Sequence, residues 1–126
     1  NGNMVRDFTY IDDVISSVYK IMEKPPRKNT QFNTDKLEPT KSFAPYRIFN
    51  IGNSKPEDLM EYIRAIENAV GKKAKINFLP LQPGDVPTTY AEISNLIKDF
   101  DYKPKTNVLE GIEKFVNWYK EFYKNL

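Results

Sequence analysis

The sequence predicts one α+β domain over residues 1–126, built from short strands and about four helices. Apolar residues recur at helical spacing in four stretches, and three shorter stretches carry strand patterns. The 126 residues are 40% hydrophobic and 13% aromatic, which suffices for one packed core. No internal repeat or second domain boundary interrupts the order of strand, helix, loop, strand, helix, strand, turn, helix and helix.

The first strand and the first helix are predicted side by side. Apolar and polar residues alternate from Phe8 to Ile11, which is typical of a half-buried strand, and helical apolar spacing starts at Val14. Asp12 or Asp13 is expected to accept hydrogen bonds from the free amides of the first helical turn, where negative charge also suits the helix dipole. The stretch therefore predicts a helix with an acidic cap.

Arg6 immediately precedes this strand and allows two interpretations. Arginine prefers the surface, so Arg6 can be a solvated cation at the end of a strand. Its planar guanidinium also matches phosphate oxygens, at about 1.5–3 kcal/mol for a hydrogen bond to a charged group. Both interpretations stay open on the stretch alone, and Arg6 is a candidate anion ligand.

Residues 24–45 are predicted to form a long polar loop. Two prolines after Lys24 end the first helix, and the residues beyond them are mostly polar or charged. Loops of this length are usually functional or disordered. We expect partial disorder in the middle of the loop, with Phe32, Leu37 and Phe43 as candidate anchors.

The second strand is predicted at residues 46–52, buried on both faces because its apolar residues do not alternate. Ser54 and Glu57 then form the pattern of a capping box, with a hydroxyl at the helix start and a carboxylate three residues on. The helix that follows has regular apolar spacing and is predicted to end at Gly71.

A third strand is predicted at residues 75–79, followed by a rigid turn at residues 81–87. Two prolines and a glycine in this turn hold Asp85 in a defined place. Asp85 is either a turn acid or, with two acceptor oxygens, a ligand for a vicinal diol such as a ribose. Tyr90 offers a hydroxyl nearby, for which packing or turn bonding is the simpler role.

Two more helices complete the predicted order. A short helix at residues 93–100 is expected to be capped by Ser94, and a long terminal helix from residue 108 by Thr106. The terminal helix bears an aromatic and aliphatic stripe at helical spacing. Such a stripe predicts core packing or a partner surface rather than a cofactor site.

Composition argues against several functions. The 19 basic and 17 acidic residues are dispersed, without the basic stripe typical of nucleic-acid binding. The absence of cysteine and histidine excludes disulfides, thiol nucleophiles, His-based triads and zinc sites with these ligands. No apolar run approaches the length of about 20 residues that a membrane span needs. We expect no metal, nucleic-acid or membrane partner, and a cytoplasmic location, which the absence of cysteine suits.

The motifs of a complete enzyme are also missing. None of the five glycines belongs to a G-x-G-x-x-G or G-x-x-x-x-G-K loop, and no tyrosine has a lysine four residues downstream. Two pairs of neighbouring carboxylates lie at predicted helix starts, where the helix dipole explains them. The sequence by itself predicts no catalytic residue.

Three motifs in order nevertheless resemble one protein family: R-D-F-T-Y-I-D-D from Arg6, R-I-F-N-I-G-N from Arg47 and Q-P-G-D-V-P from Gln82. With the capped helix between them, they cover essentially the whole chain. The sequence resembles the C-terminal part of extended short-chain dehydrogenase/reductases, the NAD-dependent nucleotide-sugar epimerase and dehydratase family. Within it, the likeness is greatest to UDP-glucuronate 4-epimerases of capsular polysaccharide biosynthesis. The resemblance implies the substrate-binding portion of a Rossmann-type enzyme, with the N-terminal dinucleotide-binding domain absent from this sequence, and a start without methionine fits such a piece.

The resemblance implies roles for the candidate site residues. Arg6 would bind the pyrophosphate of a UDP-sugar, and Asp85 would bind the uridine ribose. Gln82 stands where galactose-type epimerases carry an arginine, so it is at most a neutral contact, and Tyr90 remains a candidate hydroxyl contact.

The resemblance also implies a reaction. The full-length enzyme would use NAD to oxidise the sugar at C4, rotate the keto intermediate and return the hydride to its other face. The glycine-rich loop and the Tyr-x-x-x-Lys pair belong to the N-terminal part, so this chain is expected to bind no cofactor and to be inactive alone.

Finally, the resemblance places residues 47–51 at the edge of the dinucleotide-binding sheet. Apolar strand surface would then be uncovered here, which predicts a homodimer or swapped elements that hide it. Two alternatives stay open. One is a free-standing α+β module that binds a nucleotide or a protein without catalysis, and the other is part of a sister UDP-sugar dehydratase or decarboxylase.

Overall fold

The computed structural model describes residues 2–36 and 38–124, which form four helices and one antiparallel pair of short strands. In chain order the elements are β1 Val5–Arg6, α1 Ile11–Glu23, β2 Glu57–Asp58, α2 Leu59–Val70, α3 Ser94–Phe100 and α4 Val108–Tyr123. The predicted α+β class with short strands and four helices is confirmed. None of the helices in the described part of the chain has the length and apolarity to cross a membrane.

The first of two apolar clusters lies between α2 and α4. Ala65 of α2 packs with Ile112 and Val116 of α4, and each of the three is at most 5% exposed. As predicted, α2 ends at Gly71, whose φ of 77° is left-handed and whose amide donates to the Glu67 carbonyl at 2.8 Å. The apolar spacing read from the sequence therefore gives the correct inner face for both helices.

The second cluster centres on α3. Ile93, Leu96 and Phe100 are buried here. Half-buried Phe49 packs against them, with its ring edge-on to that of Phe100 at a centroid distance of 5.0 Å. Ile21, near the end of α1, also contacts this cluster. The segment before Gly52 thus contributes to the core although it forms no regular strand.

The start of α1 differs from its prediction. Tyr10 is the N-cap residue and makes no side-chain cap bond, while Asp13 lies in the first turn of the helix and is buried. The Asp13 carboxylate accepts hydrogen bonds from the amides of Thr106 at 2.8 Å and Lys105 at 3.3 Å, and from the Tyr102 hydroxyl at 3.2 Å. It therefore joins α1 to the connector between α3 and α4 and does not cap its own helix.

Three strand predictions are wrong, since none of these segments forms a ladder of strand hydrogen bonds among the described residues. Residues 8–11 form no strand, because pairing stops at Arg6 and α1 begins at Ile11. Residues 46–52 have one isolated bridge, between Lys41 and Arg47, and Ile48 is 46% exposed instead of buried on both faces. Residues 75–79 are exposed and form no strand.

Three predicted helix caps are also displaced. Ser54 adopts a left-handed φ of 53°, and α2 is capped instead by Asp58, which accepts from the Met60 amide. Ser94 caps nothing with its side chain, because α3 starts after Ile93 without a side-chain cap bond. Before α4, Asn107 is the cap, because its Oδ1 accepts from the Glu110 amide at 3.0 Å.

The 24–45 segment contains no helix and no strand in its described residues. Backbone hydrogen bonds nevertheless join its two ends to each other and to the residues that follow it. The Asn29 amide donates to the Phe43 carbonyl at 3.1 Å, and the Ile48 amide donates to the Thr40 carbonyl at 3.0 Å. Phe43 is 64% exposed and is not an anchor, whereas Phe32 is half-buried. Leu37 lies outside the described residues, and partial disorder of the segment stays a prediction.

Candidate functional site

The candidate site forms where β1 meets the chain that follows the 81–87 turn. The Val5 amide donates to the Pro87 carbonyl at 2.9 Å, and the Thr89 amide donates to the Val5 carbonyl at 3.1 Å. These bonds make a parallel bridge between Val5 and Thr88. Residues more than 80 positions apart in sequence, Arg6 and the 87–89 segment, are thereby brought side by side.

Arg6 is half-buried beside this bridge. Its Nη1 donates to the Pro87 carbonyl at 3.0 Å and to its neighbour's carbonyl, that of Val5, at 2.9 Å, and its Nη2 lies 3.8 Å from the Met4 sulfur. All of these partners are uncharged, and Arg6 forms no ion pair with any described residue. The guanidinium is therefore fixed in direction, yet its charge is available to an anion.

A cleft of about 440 Å³ opens next to Arg6, a size within the range of small-molecule sites. Its walls are Asn3, Met4, Leu79, Pro80, Leu81, Gln82, Asp85 and Pro87. Two of these residues, Met4 and Pro87, are also the residues that Arg6 contacts. Gln82 and Asp85 thus share one cleft whose wall adjoins the Arg6 guanidinium.

A tight turn sets the positions of Gln82 and Asp85. The Asp85 amide donates to the Gln82 carbonyl at 3.1 Å, and Gly84 between them has a φ of 92°. Proline followed by a glycine with positive φ is the pattern of a type II turn. Among the described residues no donor or cation engages the Asp85 side chain, so both of its oxygens are free to accept from a ligand.

Tyr90 lies outside this cleft. It is 63% exposed and follows Thr89, beyond the residues that line the walls. Of the four residues predicted to bind substrate, Gln82 and Asp85 line the cleft. Arg6 contacts two residues of its wall without lining it, and Tyr90 lies on the surface. Their roles in binding remain a prediction.

A second cleft, of about 240 Å³, lies among the start of α1, α2 and α4. Phe8 stacks on Tyr62 here at a centroid distance of 3.9 Å, and the close approach of Tyr10 to Gly111 forms another wall. Among the described residues, no charged side chain lines this cleft. We place the candidate site at the first cleft because Gln82 and Asp85, two of the predicted substrate contacts, line it.

Sequence reasoning missed one residue of the site region, Asp7. Its Oδ2 accepts from the amides of Ser54 and Ala91, each at 3.0 Å, and its own amide donates to the Thr89 hydroxyl at 3.2 Å. Its partners lie 47 or more residues away, so no local sequence pattern could have indicated the role. The only signal was its position directly after Arg6.

Comparison with known proteins assigns the chain to a family. A family model described as GDP-mannose 4,6 dehydratase matches residues 1–115. The chain is 48% identical to Protein CapI of Staphylococcus aureus over 124 residues, which are 98% of this chain and 37% of that protein. It is 40% identical to the probable UDP-glucuronate 4-epimerase of Rhizobium meliloti (strain 1021), again over 98% of this chain and over 36% of that protein.

A solved structure gives the same result. The UDP-glucuronic acid 4-epimerase of Bacillus cereus, crystallised with UDP-glucuronic acid and NAD, matches with a TM-score of 0.73 and 29% identity. The match covers 98% of this chain and 34% of that one, so the chain spans little more than a third of the length of such relatives. The chain therefore belongs to the GDP-mannose 4,6 dehydratase family and corresponds to the C-terminal part of the extended short-chain dehydrogenase/reductases that act as NAD-dependent nucleotide-sugar epimerases and dehydratases.

Proposed function

We propose that this chain is the UDP-sugar-binding part of an NAD-dependent epimerase that acts at C4 of UDP-glucuronate. The observation that carries the proposal is the cleft lined by the Asp85 carboxylate, beside which the Arg6 guanidinium bonds to the Pro87 carbonyl and forms no ion pair with a described residue. Family membership supports the substrate class, and relatives named as UDP-glucuronate 4-epimerases support the sugar.

Each side chain has a defined task in this proposal. Arg6 neutralises the diphosphate, because a guanidinium offers several fixed donors to phosphate oxygens. Asp85 accepts hydrogen bonds from the two ribose hydroxyls, for which its free oxygens are suited. Gln82 supplies an uncharged contact, and Tyr90 a hydroxyl at the margin of the site. The resulting site has one cation for the diphosphate instead of two.

The reaction itself needs groups that this chain does not contain. NAD would supply hydride transfer in the full-length enzyme. No residue pattern in the chain fits a dinucleotide, since the five glycines form no phosphate-cradling loop and no Tyr-x-x-x-Lys pair is present. We therefore propose that the chain binds the nucleotide-sugar, orients it and is catalytically inactive by itself.

A titration followed by amide NMR tests the proposal. The probes are UDP, UDP-glucuronate and UMP, with Arg6→Ala and Asp85→Ala as variants and Arg64→Ala as the control, because Arg64 is paired with Glu61 on exposed α2. We expect saturable shifts near Arg6 and Asp85 with UDP and UDP-glucuronate, weaker binding of UMP, and loss of binding in both site variants only. Equal binding by wild type and both site variants would contradict the assignment of the cleft.

We further propose that the chain self-associates, in the cytoplasm, to cover apolar surface. Ile11, Ile15 and Met22 form one stripe along α1 and are each more than half exposed, and Ile48 of the unpaired 46–52 segment is 46% exposed. Contiguous apolar surface of this kind favours association. Sedimentation equilibrium should show a dimer at high concentration, and a clean monomer there would contradict this part of the proposal.

A further inference from the structure

We propose that Asp7 is a positioning residue of the nucleotide site: it sets the span between Arg6 and the turn that carries Asp85, so that ligands contacting both are bound preferentially. The inference rests on the function proposed above. Asp7 contacts no part of the cleft itself. Its role is to hold the two sides of the site at a constant separation.

The contacts of Asp7 reach across the site region. The backbone of Asp7 directly continues that of Arg6, and its amide donates to the Thr89 hydroxyl at 3.2 Å. Its Oδ2 accepts from the Ala91 amide at 3.0 Å. Asp7 therefore binds the segment that follows the Asp85 turn twice, once through its backbone amide and once through its carboxylate.

The carboxylate also engages a third segment, which makes the arrangement rigid. Oδ2 accepts from the Ser54 amide at 3.0 Å, and the Ser54 hydroxyl donates to the Ala91 carbonyl at 2.6 Å. Gly52 lies so close that an added Cβ would stand 2.2 Å from the Ala91 Cβ. Hydrogen bonds and close backbone packing thus hold the segments around Asp7, Gly52 and Ala91 together.

The second oxygen of the Asp7 carboxylate lies in a less favourable environment than the first. Oδ1 is buried and has no hydrogen-bond partner among the described residues. A buried acceptor without a partner costs stability, and residues that carry such a cost cluster at functional sites. This cost is consistent with a residue retained for the geometry that Oδ2 enforces.

The consequence for binding differs between ligands. Without the Asp7 side chain, the two backbone bonds between Val5 and residues 87 and 89 still keep the segments adjacent, but the 88–91 chain can shift relative to Arg6. A ligand that touches both ends of the site then loses its fit, because small displacements weaken an interaction made at two fixed points. A ligand that touches one end is unaffected.

The test compares three probes on the same variants. UDP can contact both Arg6 and Asp85. Uridine has the ribose that Asp85 would bind but no phosphate, and pyrophosphate has the anion that Arg6 would bind but no ribose. For Asp7→Ala we expect the Kd of UDP to rise about tenfold, with the Kd of uridine and of pyrophosphate changed less than about threefold. Asp7→Asn should restore UDP binding to within about threefold of wild type, because the amide oxygen can accept from both amides.

Two further variants keep the test decisive. Thr89→Val removes the hydrogen bond between the Asp7 amide and the Thr89 hydroxyl with little change of side-chain shape. The Kd of UDP should rise about threefold, and the Kd of uridine and of pyrophosphate should stay unchanged. This variant preserves the test if Asp7→Ala fails to fold. The matched control is Asp12→Ala, since Asp12 is an exposed acid on α1. This variant should leave the Kd of all three probes unchanged.

The outcomes separate the two proposals. Two results would overturn the positioning role and leave the proposed site standing. One is that Asp7→Ala weakens the binding of all three probes equally. The other is that Asp7→Ala and Thr89→Val leave UDP binding unchanged, while Arg6→Ala and Asp85→Ala abolish it. If wild type binds UDP no differently from Arg6→Ala and Asp85→Ala, the proposed function itself fails, and the positioning role with it.

Discussion

Asp13 and Asp85 are the same residue type in opposite surroundings. Asp13 is 5% exposed, and its carboxylate is surrounded by the Thr106 and Lys105 amides and the Tyr102 hydroxyl. Asp85 is exposed in a turn, and its side chain has no partner among the described residues. A carboxylate whose oxygens are all engaged can only hold the fold together, whereas one with free oxygens in a cleft can bind a ligand. Substitutions should therefore separate stability from binding cleanly.

The largest effect is expected from Asp13→Ala. The change leaves the buried Thr106 amide without its acceptor and removes the acceptors of the Lys105 amide and of one Tyr102 hydroxyl contact, so the free energy of unfolding should fall by about 3 kcal/mol. Urea denaturation measures this, with Tyr102→Phe as the matched loss of the hydroxyl alone, worth about 1 kcal/mol. A loss below that of Tyr102→Phe would show that the Asp13 junction contributes little.

A tightly packed glycine, Gly52, and a glycine of the Asp85 turn, Gly84, should also differ in their effect on stability. In Gly52→Ala the new Cβ would meet the Ala91 Cβ at 2.2 Å, and nothing flexible can yield, so we expect a loss of about 2–3 kcal/mol. In Gly84→Ala the space is open and only the φ of 92° is unfavourable, which costs about 1–2 kcal/mol. Thermal and urea unfolding of both variants test the order, and a reversed order would contradict the close packing around Gly52.

Acidity should weaken the hydrogen bonds that the Asp13 carboxylate accepts. Burial raises the pKa of Asp13, but hydrogen bonds from Thr106, Tyr102 and Lys105 outweigh it, and the pKa lies below its ordinary value of 3.8. Because the folded-state pKa is lowered, the stabilisation is present above that ordinary value and is lost as the pH falls through the lowered one.

Urea midpoints measured from pH 7 down to pH 3 should therefore fall more steeply in wild type than in Asp13→Asn, which has no proton to gain. Parallel curves for the two proteins would show that Asp13 does not contribute to acid sensitivity.

The smallest effect on stability is expected from Asp85→Ala. The side chain is exposed and unpaired, so the free energy of unfolding should change by less than about 0.5 kcal/mol. The same variant should lose UDP binding in the titration described above. If Asp85→Ala instead lowered the free energy of unfolding by more than about 1 kcal/mol, the Asp85 side chain would have a structural role. That result would contradict a carboxylate that is free to bind a ligand.

Helices were predictable because their signal is local. Apolar spacing located α2 and α4, and the glycine at position 71 marked the end of α2 correctly. Strands and caps were less predictable because each needs a partner elsewhere in the chain. Ser54 has the side chain of a cap, but its hydroxyl donates to the Ala91 carbonyl and its amide to the Asp7 carboxylate.

The candidate site was predictable in composition but not in arrangement. The motif around Gln82 named two residues that line one cleft, Gln82 and Asp85. Arg6 contacts the wall of that cleft, and Tyr90 lies outside it. Asp7 escaped notice since its partners, Ser54, Thr89 and Ala91, are remote in sequence.

The sequence by itself determined the family, the α+β class and the helices, because motifs and helical periodicity are written in consecutive residues. Only the tertiary structure decided which aspartate holds the fold and which one is left for a ligand. That choice depends on whether donors from distant segments reach a carboxylate, as they reach Asp13 and not Asp85. Burial and long-range hydrogen bonds, which no local pattern encodes, make the difference.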